Sequence, residues 1–412
     1  MAIIIKIIPS LPENNSDWTN RAKAASAVFI AGLTAAAAFG TAGFDVTIVD
    51  PAPPITTQDD AGADLRTTAF LQPSQNLLEA AGLWEGLGPI AAPLQVMRIV
   101  DAGGEAPEPR VVKDFDAADL SDAPFGWNFT NMAIREVALA RLKALPNVDF
   151  RAGTSTQRIT TRNSEALISL SDGTRVSAKL LIGADGRHSP TRDAVDIPVK
   201  TTRYGQKAVV FCVSHDAPHN NVSTEVHRSG GPFTLVPLPD RDGKHMSAIV
   251  WMDHGPECVA RMALGDDELS SAATERSAGI NGTLTVEGPR AIWPIISQIA
   301  GHLTAERTAL IAEAAHVVPP IGAQGLNMSL GDLRVLLETA EKHPLGSQDM
   351  LDAYEKNRHP EVRLRVTGID MLNRASMAGA QGLRDMRAGM LNAFYAVGPV
   401  RKTLMKAGLG IK

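Results

Sequence analysis

Three stretches of this 412-residue sequence predict an α/β fold (α+β by some schemes). The predicted architecture is a Rossmann-like nucleotide-binding domain, an antiparallel sheet inserted into it, and helices at the C-terminus. The first stretch is a small-residue helical pattern, Ala31–Ala42, a Gly43 turn, and the β-branched run Val46-Thr47-Ile48-Val49 ending in Asp50. Helix, turn, strand and terminal acid is the order of a βαβ dinucleotide unit. The second is an apolar strand, Lys179–Gly183, leading into Ala184-Asp185-Gly186-Arg187. The third, Thr308–Leu330, reads as a buried strand (Ala309-Leu310-Ile311), then Glu313, a Pro-Pro-Ile-Gly turn, and a Gly-x-x-Gly loop opening a helix.

Composition sets the limits. A chain of this length buries a large core and is too long for one simple pair of layers, which makes about two domains the expectation. Hydrophobic content of 44%, charged content of 21% and a net charge of −5 describe an ordinary globular protein. A nucleic-acid partner is not expected, because it would want a basic excess. The two cysteines, Cys212 and Cys258, lie far apart, which fits a reducing compartment and offers no zinc spacing. Ten histidines form no ligand cluster, and no metal is expected. No Gly-x-Ser-x-Gly elbow supports Ser-His-Asp hydrolysis. His316, beside Glu313, is read as a loop anchor rather than a general base. Ala24–Phe44 is apolar or small throughout, like a membrane span or a signal-peptide core. It is rich in Ala and Gly rather than Leu, however, and runs straight into a strand, which favours a buried helix.

Taken in order, Ala2–Ile8 is a strong strand pattern, separated from the first helix by the polar segment Pro9–Lys23. A strand at Ala27–Ile30 is the alternative start of the βαβ unit. Asp64-Leu65-Arg66-Thr67-Thr68-Ala69 precedes a helix at Pro73–Ala81, closed by Gly82. Met97–Asp101 and Phe125–Asn128 read as strands, Asn131–Leu145 as an amphipathic helix, and Val148–Phe150 as the start of another strand. Asp172-Gly173 is a hairpin turn between Ile168–Leu170 and Arg175–Val176. From Tyr204 to Asp253, Ala208–Val213, Thr224–His227, Phe233–Val236 and Met246–Trp251 alternate with turn clusters, the pattern of an antiparallel sheet. A helix is expected at Asp266–Ser277. Further helices are expected at Leu330–Lys342, Ser347–Arg358, Glu361–Met377 and Gly382–Val397. Met386, Met390, Leu391, Phe394 and Tyr395 could face a membrane surface, although core packing is the commoner role of such a stripe.

The candidate site residues follow from chemistry. Glycines ahead of a helix let backbone approach a ligand, and the helix N-terminus offers unpaired N–H groups and a positive dipole end. Pro320, Gly322, Gly325 and Asn327 belong to such a loop, with Glu313 placed to accept from hydroxyls. Arg66 brings fixed donors suited to phosphate oxygens. Asp185 can accept from a ligand or fix its own loop, Gly186 permits the close turn, and Arg192 can hold the following helix or a phosphate. Asp50, 18 residues beyond Gly32, stands where an acid would take ribose hydroxyls.

Together these segments resemble the FAD-dependent aromatic-ring hydroxylases. That family's second motif is an acidic residue followed by Ala-Ala-His and a Pro…Gly-x-Gly loop; Ala312-Glu313 here replaces its usual Gly-Asp. Its Asp-Gly motif matches Asp185-Gly186, and its Asp-x-Arg-x-x-Ala segment matches the run from Asp64. Its first motif is Gly-x-Gly-Pro-Ala-Gly followed by Leu-Thr-Ala. The tail survives as Ala31-Gly32-Leu33-Thr34-Ala35, but Ala27 and Phe29 occupy the earlier glycine positions, where they should obstruct a pyrophosphate. Ala92-Pro93-Leu94, Phe125-Gly126-Trp127-Asn128 and Leu372-Asn373-Arg374 look like the ubiquinone-biosynthesis (2-polyprenylphenol) branch.

The resemblance implies an FAD- and NAD(P)H-dependent monooxygenase that uses molecular oxygen to hydroxylate the ring of a polyprenylated phenol. The flavin carries the chemistry, so no catalytic dyad is expected. The implied binding set is Gly32, Asp50, Arg66, Asp185, Gly186, Glu313, Pro320, Gly322, Gly325 and Asn327. A cytoplasmic location is expected, with peripheral membrane contact and other quinone-biosynthesis proteins as further partners to test. The alternatives are a flavin-fold scaffold with impaired FAD binding, or another flavoenzyme on the same scaffold such as a prenyl reductase. The expected division is 1–74 as the first part of the FAD-binding domain and 75–180 as a mixed segment with substrate-side strands. Next come 181–200 as the Asp-Gly segment, 201–295 as the antiparallel substrate domain, 296–345 as the last FAD-binding part, and 346–412 as C-terminal helices.

Overall fold

The computed structural model describes residues 2–6, 18–53, 55, 64, 66–106 and 108–411, with side chains from Ile30 onward. The nucleotide-binding layer is a six-stranded sheet in the spatial order Thr304–Ala305, Thr308–Leu310, Leu180–Gly183, Ala2–Lys6, Asp45–Asp50, Val148–Ala152. All neighbours run parallel except the outermost pair, Thr304–Ala305 with Thr308–Leu310. Ala2–Lys6 is therefore a central strand, as its β-branched run predicts.

Helix α1, Trp18–Thr41, crosses from that strand to Asp45–Asp50. It begins well before the expected Ala31 and runs without a break through Ala27–Ile30, so the alternative strand there is overturned. Residues 7–17, most of the polar segment between strand and helix, lie outside the described residues. Ala35, Ala36, Ala37 and Phe39 are fully buried, which is why α1 is made of small side chains. A Cβ on Gly40 would come within 2.5 Å of Val148, so this glycine lets α1 lie close against the sheet. Burying a large apolar side chain such as Phe39 or Ile48 contributes about 1.5–3 kcal/mol. Among the described residues no helix is long and apolar enough to cross a membrane.

Beyond Asp50, Thr67–Leu71 pairs with Gly126–Thr130 and leads directly into α2, Gln72–Ala80. The short α3, Trp84–Leu87, and α4, Asn131–Ala144, follow, with α4 packed along α1. Glu165–Leu170 and Arg175–Ala178 form the expected hairpin, with Gly173 at φ +83° in its turn. Together with Thr156–Arg162 they make a separate three-stranded sheet. The short α5, Pro190–Ala194, follows the Asp-Gly segment.

The inserted sheet has eight strands, ordered His316–Val317, Leu284–Ala300, Val199–His215, Lys244–His254, Pro232–Arg241, Val222–His227, Val96–Asp101, Val111–Asp116. It is antiparallel except where Val222–His227 meets Val96–Asp101. The 17-residue strands Val199–His215 and Leu284–Ala300 are much longer than the apolar runs that mark them. Their ends are held by the ladder together with burial, as at Ser214, His215, Leu284 and Ala300. Helices α6 (Gly255–Met262) and α7 (Asp266–Arg276) cover this sheet, with Cys258, Leu269 and Ala273 buried in its core.

The C-terminal part contains α8 (Gln324–Lys342), α9 (Gln348–Ser376), α10 (Gln381–Ala396) and α11 (Gly398–Leu409). The two helices expected at 347–377 are one, continuous through Pro360. A proline there removes one helical hydrogen bond. Tyr354, Arg358, Val362 and Val366, spaced by four and buried, compensate by packing along α8 and the inserted sheet.

Candidate cofactor site

The polar groups gather at the C-terminal ends of the parallel strands, where open α/β sheets bind ligands. Asp50 ends its strand at 1% exposure. Its Oδ1 accepts from the Ala52 N–H at 2.8 Å, while its Oδ2 is buried with no hydrogen-bond partner. Burial pushes the carboxyl up to about 7, against the opposing pull of the Ala52 N–H and the Arg135 guanidinium. A buried carboxylate oxygen without a donor is costly. A sugar hydroxyl would satisfy it, so this position suits a nucleotide ribose.

Arg66 is held in place by Asp64, Nε to Oδ1 at 2.7 Å, and its guanidinium lies 4.6 Å from the Trp293 ring centroid. Asp64 in turn accepts from Asn131 Nδ2 at 2.6 Å. Trp293 belongs to the inserted sheet, so this contact ties the start of the strand Thr67–Leu71 to that sheet. The Trp293 indole N–H is buried without a partner.

The Asp-Gly segment and the third stretch meet. Arg187 reaches Glu313 with Nε–Oε2 at 3.2 Å and Nη2–Oε1 at 3.4 Å. Glu313 lies in a 3-10 turn, Ala312–Ala314, immediately after the strand Thr308–Leu310, and Ala312 takes φ +56°. Arg192 ties the two loops together, donating from Nη1 to the carbonyls of Arg187 and Ala314 at 3.3 and 3.2 Å. Asp185 accepts from the Ser189 hydroxyl and from the Thr191 N–H at 2.8 Å. Of its two expected roles the structure shows loop fixing: both oxygens are spent on the start of α5. Gly186, at φ +88°, makes the turn that a side chain would strain.

His316 anchors its loop, as expected. Its Nε2 lies 2.6 Å from Asp332 Oδ2, and Arg358 Nε donates to Asp332 Oδ1 at 2.6 Å. Asp332 also receives the Ala312 N–H at 3.1 Å. Burial alone would raise the Asp332 carboxyl; the His316 and Arg358 groups outweigh it and hold it below the ordinary carboxylate range. This buried trio fixes the loop that carries Glu313, and sequence reasoning missed Asp332 and Arg358. The available signal was a charged residue inside each of two apolar helical stripes, at Leu330/Leu333/Leu336 and Tyr354/Val362/Val366.

Gly322 at φ +61° and Ala323 at φ +56° turn the chain into α8, whose N-terminus has no side-chain cap. A Cβ on Gly325 would meet only Val318, at 4.0 Å. The first N–H groups of α8 are without a side-chain cap, which suits them to receive an electron-rich group. Pro320 is exposed beside this turn.

Two expected contacts need correction. Asn327 spends its amide on protein: Nδ2 donates to Ala69 O at 2.8 Å and Ala323 O at 2.7 Å. Its Oδ1 accepts from Leu71 N at 2.8 Å and Ser74 Oγ at 2.7 Å. It is a tether between α8 and the start of α2, not a ligand group. Gly32 lies deep inside α1 rather than at a turn, so its backbone belongs to the helical ladder. The orphaned Asp50 oxygen and the accessible Glu313 carboxylate suit the hydroxyls of a nucleotide cofactor such as FAD, while α1 provides no glycine turn for its pyrophosphate. Among the described residues no group of His, Cys, Asp and Glu is arranged to hold a metal ion.

A fold and site of this kind define a flavin-binding protein, and the chain belongs to the FAD binding domain family, whose sequence pattern matches residues 30–367. It is 29% identical over 386 residues to the ubiquinone hydroxylase UbiL of Rhodospirillum rubrum, covering 92% of this chain and 87% of that one. It is 24% identical over 374 residues to the 3-demethoxyubiquinol 3-hydroxylase of Escherichia coli, covering 90% and 93%. In structure it is similar to the p-nitrophenol 4-monooxygenase PnpA of Pseudomonas putida DLL-E4. The TM-score is 0.75 at 17% identity, over 100% of this chain and 98% of that one. That likeness speaks to the fold.

Proposed function

We propose that this protein is an FAD- and NAD(P)H-dependent monooxygenase that hydroxylates the aromatic ring of a polyprenylated phenol in ubiquinone biosynthesis. The observation that carries the reading is the pairing of Glu313 with Arg187 just beyond one parallel strand, with the orphaned Asp50 oxygen at the end of another. The names of the two relatives supply the substrate class.

In this reading Asp50 accepts from the ribose, Glu313 accepts from the ribityl hydroxyls, and Arg66 offers donors to phosphate or ribityl oxygens. Gly186 and the Pro320–Gly325 loop let backbone come close, and the N–H groups of α8 face the electron-rich edge of the ring system. Asp185, Arg192 and Asn327 act through the loops they fix. FAD, when bound, supplies the oxygen chemistry: NAD(P)H and a proton reduce molecular oxygen, with one oxygen atom entering the ring and the other leaving as water. The chain's own part is to orient the phenol and to exclude water. Residues 1–74, 181–200 and 296–345 would hold the cofactor. The mixed segment 75–180 would add substrate-side strands to the sheet of 201–295, and 346–412 would form the outer helices.

The test is flavin content followed by turnover. Purified protein should be yellow or take up added FAD. With NADPH and a prenylated phenol it should then yield a product one oxygen heavier by mass spectrometry. The unbroken course of α1 through Ala27 and Phe29 favours a second reading, a flavin-fold scaffold. A colourless chain that fails to take up FAD would select it.

A further inference from the structure

Helices α10 and α11 present an apolar row that the rest of the chain leaves uncovered. Leu383, Met386, Met390, Phe394 and Val397 recur at three- and four-residue spacing along α10 and its end, each 45–57% exposed. Val400 and Leu404 continue the spacing on α11, at 38% and 46%. These seven are half of the fourteen large hydrophobic side chains exposed among the described residues. A row of that extent is well beyond the scattered exposure of ordinary surfaces.

The opposite face is firmly seated. Tyr395 donates to Asp114 O at 3.0 Å and packs edge-on against Phe115 at 5.4 Å. Arg387 pairs with Asp101 at 2.8 Å and Arg401 with Asp119 at 3.0 Å. The row is therefore held outward by specific contacts. Tyr395, expected from sequence to join the apolar face, turns inward instead.

Charge selects the occupant. Of the six Lys and Arg in residues 381–412, Arg387 and Arg401 are paired with acids on the seated face, and the one acid, Asp385, is paired with Arg110, which leaves lysines as the unpaired charge beside the row among the described residues. Lys402 and Lys406 are exposed and flank Leu404. A second copy would bring these lysines against like charge, whereas an anionic surface with an apolar interior satisfies both features. We infer that α10 and α11 lie on the surface of an anionic lipid bilayer, with Leu383, Met386, Met390, Phe394, Val397, Val400 and Leu404 entering the headgroup boundary. The inference does not depend on the reading of the cofactor site.

Flotation of the full-length protein, supplied with FAD, with phosphatidylcholine vesicles or with phosphatidylcholine–phosphatidylglycerol vesicles tests it. Binding to the anionic vesicles should exceed binding to the neutral ones by about tenfold and weaken with added salt. Met390→Glu with Phe394→Glu should abolish it. Lys402→Glu with Lys406→Glu, which leaves the packed face untouched, should lower it severalfold and keeps the test decisive if the first variant fails to fold. Absence of binding to either vesicle overturns the inference, as does binding unchanged in the lysine variant. A parent that ignores vesicles but is a dimer, and becomes monomeric on Met390→Glu with Phe394→Glu, would assign the face to a second copy instead.

Discussion

Arg187 closes on Glu313 across 126 residues of chain, with its nearest approach at 3.2 Å and both side chains about one-fifth exposed. A pair this long and this accessible contributes little, about 0–1 kcal/mol. It orients Glu313 without consuming it, and leaves the carboxylate free to exchange a guanidinium contact for ligand hydroxyls.

Glu313→Ala should therefore weaken FAD binding by about 1.5–3 kcal/mol, the range for hydrogen bonds to a charged group. Glu313→Asp should be mild, and Arg187→Gln milder than the alanine variant. Isothermal titration with FAD reads all three. An alanine variant with parental affinity would remove Glu313 from the site.

Asp50 gives a pH signature. Its folded-state value, about 7, lies above its ordinary 3.8, so its contribution to the stability of the unliganded protein is fully present below pH 4. That contribution is lost as pH rises through about 7. Asp50→Asn should raise the melting temperature at pH 8 and change it little below pH 4. The same variant should bind FAD more weakly at pH 8, because an ionised Oδ2 is the better acceptor. Thermal melts with and without FAD at the two pH values check both signs.

Asp332→Asn should be the most damaging of these changes to stability. It leaves Arg358 and His316 buried beside a neutral group, and breaking a buried pair costs about 3–5 kcal/mol. Because its folded-state carboxyl sits below the ordinary range, the parent's advantage exists at neutral pH and fades as the medium becomes acidic. Urea unfolding at pH 7 and in acid should show the gap between parent and variant closing.

Ala27→Gly with Phe29→Gly would restore the family's glycines, and from sequence alone it should tighten FAD binding. In the structure both positions lie within α1, where each glycine costs about 1 kcal/mol. The expected result is a less stable protein with no gain in affinity. Tighter FAD binding in the double variant would mean that a phosphate turn can form there after all.

The fold was legible where a pattern is local. Ala2–Lys6 announces itself by β-branching, Asp172-Gly173 by turn chemistry, and Glu313 by its place after an apolar strand. Asn327 was misread because a polar residue in a glycine loop looks the same in sequence whether it faces a ligand or four protein partners. Asp332 and Arg358 were missed because a charge within an apolar stripe does not name its partner, and the helices that carry them meet only when packed. The break expected before Glu361 failed for a related reason: Pro360 is a strong local signal, and the buried row from Tyr354 to Val366 overrules it.

The tether from Asn327 to Leu71 spans 256 residues. During synthesis the first cofactor-side strands emerge long before the segment that locks them, so no receptive pocket exists until α8 has left the ribosome. If α8 borders the flavin as proposed, loading would have to wait until synthesis has passed it, while the parallel strands already formed await their cover. A chain ending before Asn327 would keep the ladder that carries Asp50 and the loop that Asp185 fixes, yet lose the tie between α8 and the strand Thr67–Leu71.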